Sequence, residues 1–217
     1  TYHQLGWIPA ITLHHTSTPS KPTIMRPVLL ILLSLLMAAQ SPLIGQNAYT
    51  LATDHKITIA GSSNVHDWEE TAKTATGDAS VVWNTDGSFT IKSFTLKVTV
   101  KSIVSDKGSI MDNKTYDALK ADKYPYITFK MLSVKSIAKS GTGWSVKVNG
   151  DLTIAGVTKN IDISGMVYVK ENGKLSIDVS KALKMTDFKI DPPSAMMGAM
   201  QVADDITIRF KLNYQMK

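Results

Sequence analysis

The chain has 217 residues, with 24 Lys and Arg, 18 Asp and Glu and no Cys, which gives a formal net charge of +6. Without cysteine the protein has no disulfide, no thiol nucleophile and no lipidated N-terminal cysteine. The lysines are scattered along alternating sequences, which is typical of a solvated outer face. Nucleic-acid-binding proteins instead cluster Arg with aromatic side chains, so we expect no nucleic-acid partner.

The N-terminal region has the pattern of a segment that is cleaved off during secretion. Residues 1–24 have no periodicity that could build an element, and we interpret them as upstream sequence or a disordered tail. Met25 and Arg26 precede an apolar run over residues 28–37, and a small residue, Gly45, follows. Such a pattern is typical of a secretory signal peptide, and the run is shorter than the roughly 20 residues that span a bilayer.

We therefore expect residues 25–45 to be a signal peptide, with Ala39 as an alternative cleavage position, and residues 46–217 to form one folded domain. This interpretation places the protein in the periplasm or outside the cell, with no stable membrane insertion. The alternative is an uncleaved membrane anchor.

The first strands show apolar alternation. Residues 49–59 open the predicted fold, and residues 65–83 predict one long strand or two short ones with a break near Gly77. The sequence Asn84–Gly87 is a strong hairpin signal.

Two later strands change the parity of their apolar positions. The change falls between Ile91 and Phe94 in one strand and before Leu132 in another. A parity change of this kind indicates a β-bulge, which bends a strand and helps a sheet to curl.

Residues 111–121 contain the one convincing helical stretch. Asp112 or Asn113 is a suitable N-cap, and Pro125 prevents continuation. We expect two or three turns of helix that lie on the sheet or plug one end of it.

The clearest pattern is a hairpin over residues 147–169. Apolar Leu152 and Ile154 alternate with polar neighbours, and Ile161 and Ile163 continue the alternation after a short loop. The period of two predicts antiparallel strands with one apolar face and one polar face. Gly150 and Gly165 fall on the apolar face, where they either leave room or receive bulky partners such as Phe89, Phe94, Phe129 and Trp144.

Together with the strands that follow this hairpin, the alternation predicts about eight strands joined by short loops. An all-β antiparallel sheet of this kind either closes as a barrel or stacks as a sandwich, and its interior is either filled or hollow. Periodicity alone leaves both choices open.

The sequence offers little for catalysis. His66 has carboxylates beside it, but neighbouring positions on a strand point apart, so we expect His66 and Trp68 to pack on one face while Asp67 faces water. The pairs Glu69–Glu70 and Asp204–Asp205 are typical of solvated positions. There is no nucleophile elbow and no metal-ligand spacing, so we predict no enzyme activity, no metal site and no cofactor.

Four segments, in order, resemble the YceI-like proteins, also called polyisoprenoid-binding or lipid-binding lipocalin-like domains. They are Gly61–Trp68, Met111–Phe129, Gly150–Lys159 and Asp187–Pro193. The resemblance covers residues 49–214.

This resemblance implies an extended eight-stranded antiparallel lipocalin-like barrel with one short helix between strands and a long apolar tunnel. It implies non-catalytic binding, transport or sequestration of an amphipathic isoprenoid or fatty lipid. The ligand contacts expected on this basis are Trp68, Phe94, Phe129, Val148, Leu152, Ile154, Ile161, Ile163, Phe188, Met196, Met197 and Met200.

Among these residues, Phe188 and the three methionines are expected at the tunnel mouth, with residues 191–203 as a lid. The functional alternative is a secreted β-sandwich interaction module with a solid core and no small-molecule ligand. The sequence leaves a homodimer open under either hypothesis.

Overall fold

The computed structural model describes residues 45–217. The predicted upstream segment and all but the last residue of the predicted signal peptide lie outside the described residues, so the processing scheme stays a prediction. The strands are β1 (Gln46–Leu51), β2 (Lys56–Ser63), β3 (Asp67–Ala72), β4 (Ala75–Trp83), β5 (Phe89–Thr99), β6 (Ile103–Ser105), β7 (Tyr126–Ser140), β8 (Gly143–Ile154), β9 (Val157–Val169), β10 (Leu175–Lys184), β11 (Ser194–Ala195) and β12 (Met200–Met216), and the helix α1 is Ser109–Ala118.

Eight of these strands form a closed antiparallel ring. They are hydrogen-bonded in the order β1, β4, β5, β7, β8, β9, β10 and β12, and β12 returns to β1, where Leu51 pairs with Tyr214. This closure confirms the predicted barrel and excludes the sandwich as its architecture. Strands β2, β3 and β6 extend the wall at one end, because β2 pairs with β12, β3 with β2 and β6 with β3.

Both predicted bulges are present. In β5, Ser93 and Ile91 pair with consecutive residues of β4, so Lys92 is the extra residue. In β7 the register shifts after Met131, and Leu132 is the residue left over. Leu132 therefore turns outward, with 54% of its surface exposed, although the alternation places it on the apolar side.

The predicted break near Gly77 is wrong. The strand structure is interrupted at residues 73–74, between β3 and β4, and Gly77 lies inside β4. A β-carbon on Gly77 would come within 2.5 Å of the Tyr214 hydroxyl oxygen. The glycine therefore serves the close approach of a buried tyrosine rather than a turn.

The helix begins earlier than predicted. Its N-cap is Gly108, with φ of 83°, so neither Asp112 nor Asn113 caps it. The carboxylate of Asp112 instead accepts a hydrogen bond from the backbone N–H of Ser105, at 2.7 Å. This contact ties the first turn of α1 to β6.

An aromatic cluster fills one end of the barrel, which we call the closed end. The ring of Phe89 lies 5.2 Å from that of Trp83 and 5.4 Å from that of Trp144, centroid to centroid. The indole N–H of Trp83 donates to the hydroxyl of Tyr49, which is fully buried. Aromatic contacts and a satisfied hydrogen bond make this end solid.

The opposite end, next to α1, is less tightly built, and we call it the open end. The ladder between β9 and β10 stops where Val179 pairs with Gly165. Beyond that point, the Lys181 ammonium donates to the backbone carbonyl of Asp162 at 2.9 Å. Between residues 45 and 217, no helix is both long and apolar enough to cross a membrane.

Candidate functional site

A large cavity of about 500 Å³ lies at the open end. Its walls come from β2, β3, β6 and α1 on one side and from residues 185–194 and the start of β12 on the other. Met111, Thr115 and Ala118 present one side of α1 to this space. The predicted helix therefore lines the cavity and does not plug it.

A narrow cavity of about 130 Å³ lies deeper, inside the ring of strands. Its lining is almost wholly apolar, with side chains from β5, β7, β8, β9, β10 and β12. Ile59, Ile103, Ile127 and Ile208 border both cavities. The two spaces therefore adjoin, and together they form a path from the polar open end into an apolar interior.

Several inward-facing side chains of the ring are only half-buried. Phe94, Val148, Ile161 and Ile163 line the narrow cavity and keep part of their surface accessible. In a solid core, side chains at such positions are packed on all sides. These four face a space instead.

The two glycines on the apolar face are not the source of this space. A β-carbon on Gly150 would come within 2.5 Å of the Phe129 ring, and one on Gly165 within 2.6 Å of a Val179 methyl group. Neighbouring side chains thus occupy the room that the glycines leave. The interior is partly filled and partly hollow. The two alternatives that the sequence left open, a filled barrel and a hollow one, therefore each hold for a different part of the barrel.

Ten of the twelve residues predicted to contact a ligand line one of the two cavities. Trp68, Ile154, Phe188 and Met200 line the large cavity. Phe94, Phe129, Val148, Leu152, Ile161 and Ile163 line the narrow one. The structure brings these side chains together, and their contact with a ligand stays a prediction.

Met197 is fully exposed and does not line the cavity, and its backbone takes a left-handed conformation with φ of 57°. Its place at the mouth stays a prediction. The side chain of Met196 lies outside what the structure describes. Segment 191–203 lines the cavity through Pro193, Ser194, Met200 and Val202.

Glu70 is a site residue that sequence reasoning missed. It lines the large cavity from β3 and is only 7% exposed, whereas a solvated position was expected. Thr115 of α1 donates from its hydroxyl to Oε1 of Glu70 at 2.6 Å. Burial raises the pKa of the Glu70 carboxyl, the Thr115 hydrogen bond opposes that rise, and the nearby Asp112 carboxylate adds to it.

The signal for Glu70 was present in the sequence. Adjacent residues of a strand point to opposite faces of the sheet. If one face is buried, Glu69 and Glu70 cannot both face water. Glu70 shares its parity with Trp68 and Ala72, which are half-buried and buried. The parity argument applied to Trp68 therefore also places Glu70 inside.

His66 lines the large cavity together with Trp68, but its side chain is exposed and not packed as expected. It lies in the loop before β3, where its Nδ1 is 2.9 Å from the carbonyl oxygen of Asp67. The indole of Trp68 is half-buried and donates to the carbonyl of Ser62 at 3.2 Å. Within the described part of the chain, no three His, Asp or Glu side chains come together in a way that could hold a metal ion.

Lysines border the large cavity, and three of the four already have partners. Lys107 lies 3.7 Å from Asp106, Lys114 donates to the carbonyl of Ser194, and Lys184 pairs with Asp205 at 2.9 Å. Exposed pairs of this kind contribute little to the free energy of unfolding. They make the rim polar without forming a concentrated positive patch.

Comparisons with known proteins agree with this fold. The crystal structure of Burkholderia cenocepacia BcnA is 20% identical, with a TM-score of 0.56, and covers 73% of this chain and 95% of its own. A polyisoprenoid binding domain from Saccharophagus degradans is 16% identical, with a TM-score of 0.59, and covers 79% of this chain and 99% of its own. The Campylobacter jejuni YCEI protein is 23% identical, with a TM-score of 0.51, and covers 68% of this chain and 84% of its own.

At these identities the likeness to solved structures establishes the fold. The comparison with curated proteins gave no match. The sequence model of the YceI-like domain matches residues 49–214, which is nearly the whole described barrel. The chain therefore belongs to the YceI-like domain family.

Proposed function

We propose that the protein binds one long-chain lipid, an isoprenoid or a fatty lipid, and carries or sequesters it. The end of the apolar chain enters the narrow cavity, and the rest of the molecule, with its polar head, occupies the large cavity. The observation that carries this proposal is the half-buried state of Phe94, Val148, Ile161 and Ile163 inside a closed ring. A solid-core interaction module has no use for accessible apolar surface at its centre.

The physical properties of the two cavities support this orientation. A small cavity lined by Ile, Leu, Val and Phe stays dry, because water finds no hydrogen-bonding partners there, and it accepts hydrocarbon instead. Each methylene that leaves water for such a space contributes about 0.8 kcal/mol. The large cavity falls within the range of about 300–1,000 Å³ typical of ligand sites and carries polar groups that suit a head.

The fold and its relatives favour the same class of ligand. The family match covers residues 49–214, and one structural neighbour is described as a polyisoprenoid binding domain. The proposal includes no catalytic step and no cofactor. It also keeps the predicted signal peptide at residues 25–45, and so places the carrier in the periplasm or outside the cell, where an apolar molecule needs a carrier through water.

A chain-length series tests the proposal. Purified protein is titrated with fatty alcohols of about ten to about eighteen carbons, and affinity is read by displacement of a neutral fluorescent probe. We expect affinity to rise with each added methylene and to level off once the cavities are filled. Affinity that does not depend on chain length contradicts the proposal.

A matched pair of variants locates the site. Ile163→Trp adds bulk to the wall of the narrow cavity, whereas Ser164→Trp adds the same bulk to the exposed face of the same strand. We expect the first to lower affinity for the longest alcohol and shorten the length at which affinity levels off. The second should behave as wild type. Equal behaviour of the two variants places the lipid elsewhere.

A further inference from the structure

The ring of eight strands has a gap between β9 and β10. These two strands pair from Leu175 with Val169 to Val179 with Gly165. From there β10 continues along β12 as far as Lys184, and the earlier part of β9 stays paired with β8. Within the described residues, no pairs join β9 to β10 in that region. The barrel wall therefore lacks backbone hydrogen bonds at this place.

Side chains from both edges of the gap line the narrow cavity. Ile161 and Ile163 do so from β9, and Lys181 and Leu183 do so from β10. If the register of the last pairs continued, Lys181 would face Ile163 and Leu183 would face Ile161. Both isoleucines are only half-buried. The gap therefore leads from the outer surface of the barrel into the narrow cavity.

Lys181 occupies a position at which the alternation calls for an apolar residue. It has the parity of Ile177, Val179 and Leu183, which all line the narrow cavity. Among the described residues of that lining, Lys181 alone carries a charge. An ammonium group is costly to leave in an apolar space, so a lysine at such a position extends its ammonium to water or to a polar atom. An open wall at this point allows it to do so.

The ammonium of Lys181 bridges the gap. It donates to the backbone carbonyl of Asp162 on β9 at 2.9 Å. In the described part of the chain, Lys181 takes part in no salt bridge. The carboxylate of Asp162 is instead engaged by Lys135, Lys147 and Asn149. A side chain held by one hydrogen bond moves aside more easily than a strand held by a ladder of them, so Lys181 is suited to open and close the gap.

The narrow cavity is too small to enclose a long chain. Its volume is about 130 Å³, whereas a typical ligand site has about 300–1,000 Å³. The aromatic cluster of Trp83, Phe89 and Trp144 blocks the closed end of the barrel. A chain that enters from the large cavity therefore either stops short in the narrow cavity or leaves it through the gap.

We propose that the gap between β9 and β10 is a side opening of the narrow cavity, that Lys181 controls it, and that the end of a lipid chain too long to be enclosed passes out through it. This inference rests on the proposed lipid-binding function. It goes further by assigning a second opening to the site and by widening the class of ligand. A site with this opening accepts chains that are longer than its cavities instead of rejecting them.

A covalent label at the end of the chain tests the inference, and the protein has no cysteine that would compete for it. Ala182→Cys places a thiol on the outer face of β10 beside the gap, and Thr95→Cys places one on the outer face of β5, across the barrel. Each variant is incubated with fatty alcohols whose far end carries an alkyl iodide, which a thiolate displaces to form a thioether. Intact-mass spectrometry measures the labelling rate, and the rate with water-soluble iodoacetamide corrects for the reactivity of each thiol.

The chain length decides whether the iodide reaches the outer surface. With a chain of about twenty-four carbons, we expect Ala182→Cys to be labelled about tenfold or more faster than Thr95→Cys, because the iodide is held beside the thiol. With about twelve carbons the end stays enclosed, and both thiols should react at the same low rate. Excess oleyl alcohol should abolish the fast reaction, since it competes for the cavities.

A matched pair of variants tests the role of Lys181. Lys181→Met keeps the length of the side chain and removes its hydrogen bond, so it should raise the labelling rate of Ala182→Cys by about threefold or more. Lys147→Met removes a lysine from the outer face of β8 and should leave that rate unchanged. Equal effects of the two variants overturn the control by Lys181.

Two failures are distinguishable. If the long alcohol displaces a neutral fluorescent probe but labels Ala182→Cys and Thr95→Cys equally, or if excess oleyl alcohol does not slow the labelling of Ala182→Cys, the side opening is refuted and the lipid-binding function stands. If neither alcohol displaces the probe, the proposed function fails, and this inference fails with it.

Discussion

The ring of Phe129 on β7 lies directly over Gly150 on β8. A β-carbon on Gly150 would come within 2.5 Å of Cζ of Phe129 and within 2.6 Å of the carbonyl oxygen of Lys130. Phe129 is 7% exposed and lines the narrow cavity, so this contact sets part of the cavity wall. A glycine at position 150 is thus required by the Phe129 ring and the Lys130 carbonyl of the adjacent strand.

The first prediction follows from that contact. Gly150→Ala should destabilise the protein by about 1–3 kcal/mol, because one clashing atom belongs to the backbone and cannot move aside freely. Thermal or urea unfolding measures the loss. Asp151→Ala, on the outer face of the same strand, is the control and should change stability by less than about 1 kcal/mol. Similar values for both would show that Phe129 does not pack over Gly150.

A second pair of variants tests the two faces of β8. Leu152 is 7% exposed and lines the narrow cavity, whereas Asp151 is on the other face and accepts a hydrogen bond from the amide of Asn160 at 2.9 Å. Leu152→Asp places an unpaired carboxyl group in an apolar wall and should cost several kcal/mol. Asp151→Leu should cost less than about 1 kcal/mol. Equal shifts in melting temperature would refute the assigned faces.

Much of the fold could be predicted because the alternation is strong. In the β8–β9 hairpin, Leu152, Ile154, Ile161 and Ile163 all face the cavities, as the period of two indicates. Barrel closure could not be derived in this way. It depends on the pairing of Leu51 with Tyr214, two residues from opposite ends of the domain, and local periodicity carries no information about such a contact.

The candidate site was predictable to a similar extent. Parity identifies which side chains face inward, but whether the interior is hollow depends on how rings such as Phe129 and methyl groups such as those of Val179 meet the glycines. The methionines, prolines and Gly198 of this loop suggest a lid, but they carry no information about which Met faces the cavity. Met197 takes a left-handed backbone conformation that a non-glycine residue seldom adopts, and its side chain is exposed.

A third prediction separates Met197, in the loop before β12, from Met200, the first residue of β12. Met200 lines the large cavity, whereas Met197 is fully exposed. Met200→Lys should weaken the binding of a long-chain alcohol by about tenfold, because a charged group must be desolvated when the lipid occupies the cavity. Met197→Lys should leave both lipid affinity and melting temperature unchanged. The opposite order of effects would restore Met197 as the mouth residue.

A fourth prediction concerns pH and Glu70. The native state holds the proton of this carboxyl more tightly than the unfolded chain does, because burial raises its native pKa above the ordinary value of 4.5. Stability is therefore undiminished below that ordinary value and falls as the pH rises through the raised native pKa.

Glu70→Gln removes this loss, since the amide does not ionise. We expect the variant to gain stability relative to wild type between about pH 4 and about pH 8, as measured by urea unfolding at a series of pH values. All other ionisable groups are the same in the two proteins, so the difference isolates Glu70. A stability difference that stays constant with pH would contradict a buried carboxyl at this position.

Mass spectrometry of an organic extract tests most directly whether the two cavities hold a lipid. The protein is purified from a bacterial host without detergent, and its bound molecules are extracted and quantified per protein chain. The account predicts close to one long-chain lipid per wild-type chain, and a clear loss in Ile163→Trp but not in Ser164→Trp. A wild-type protein that carries no lipid and takes up none when isoprenoid and fatty lipids are added would contradict it.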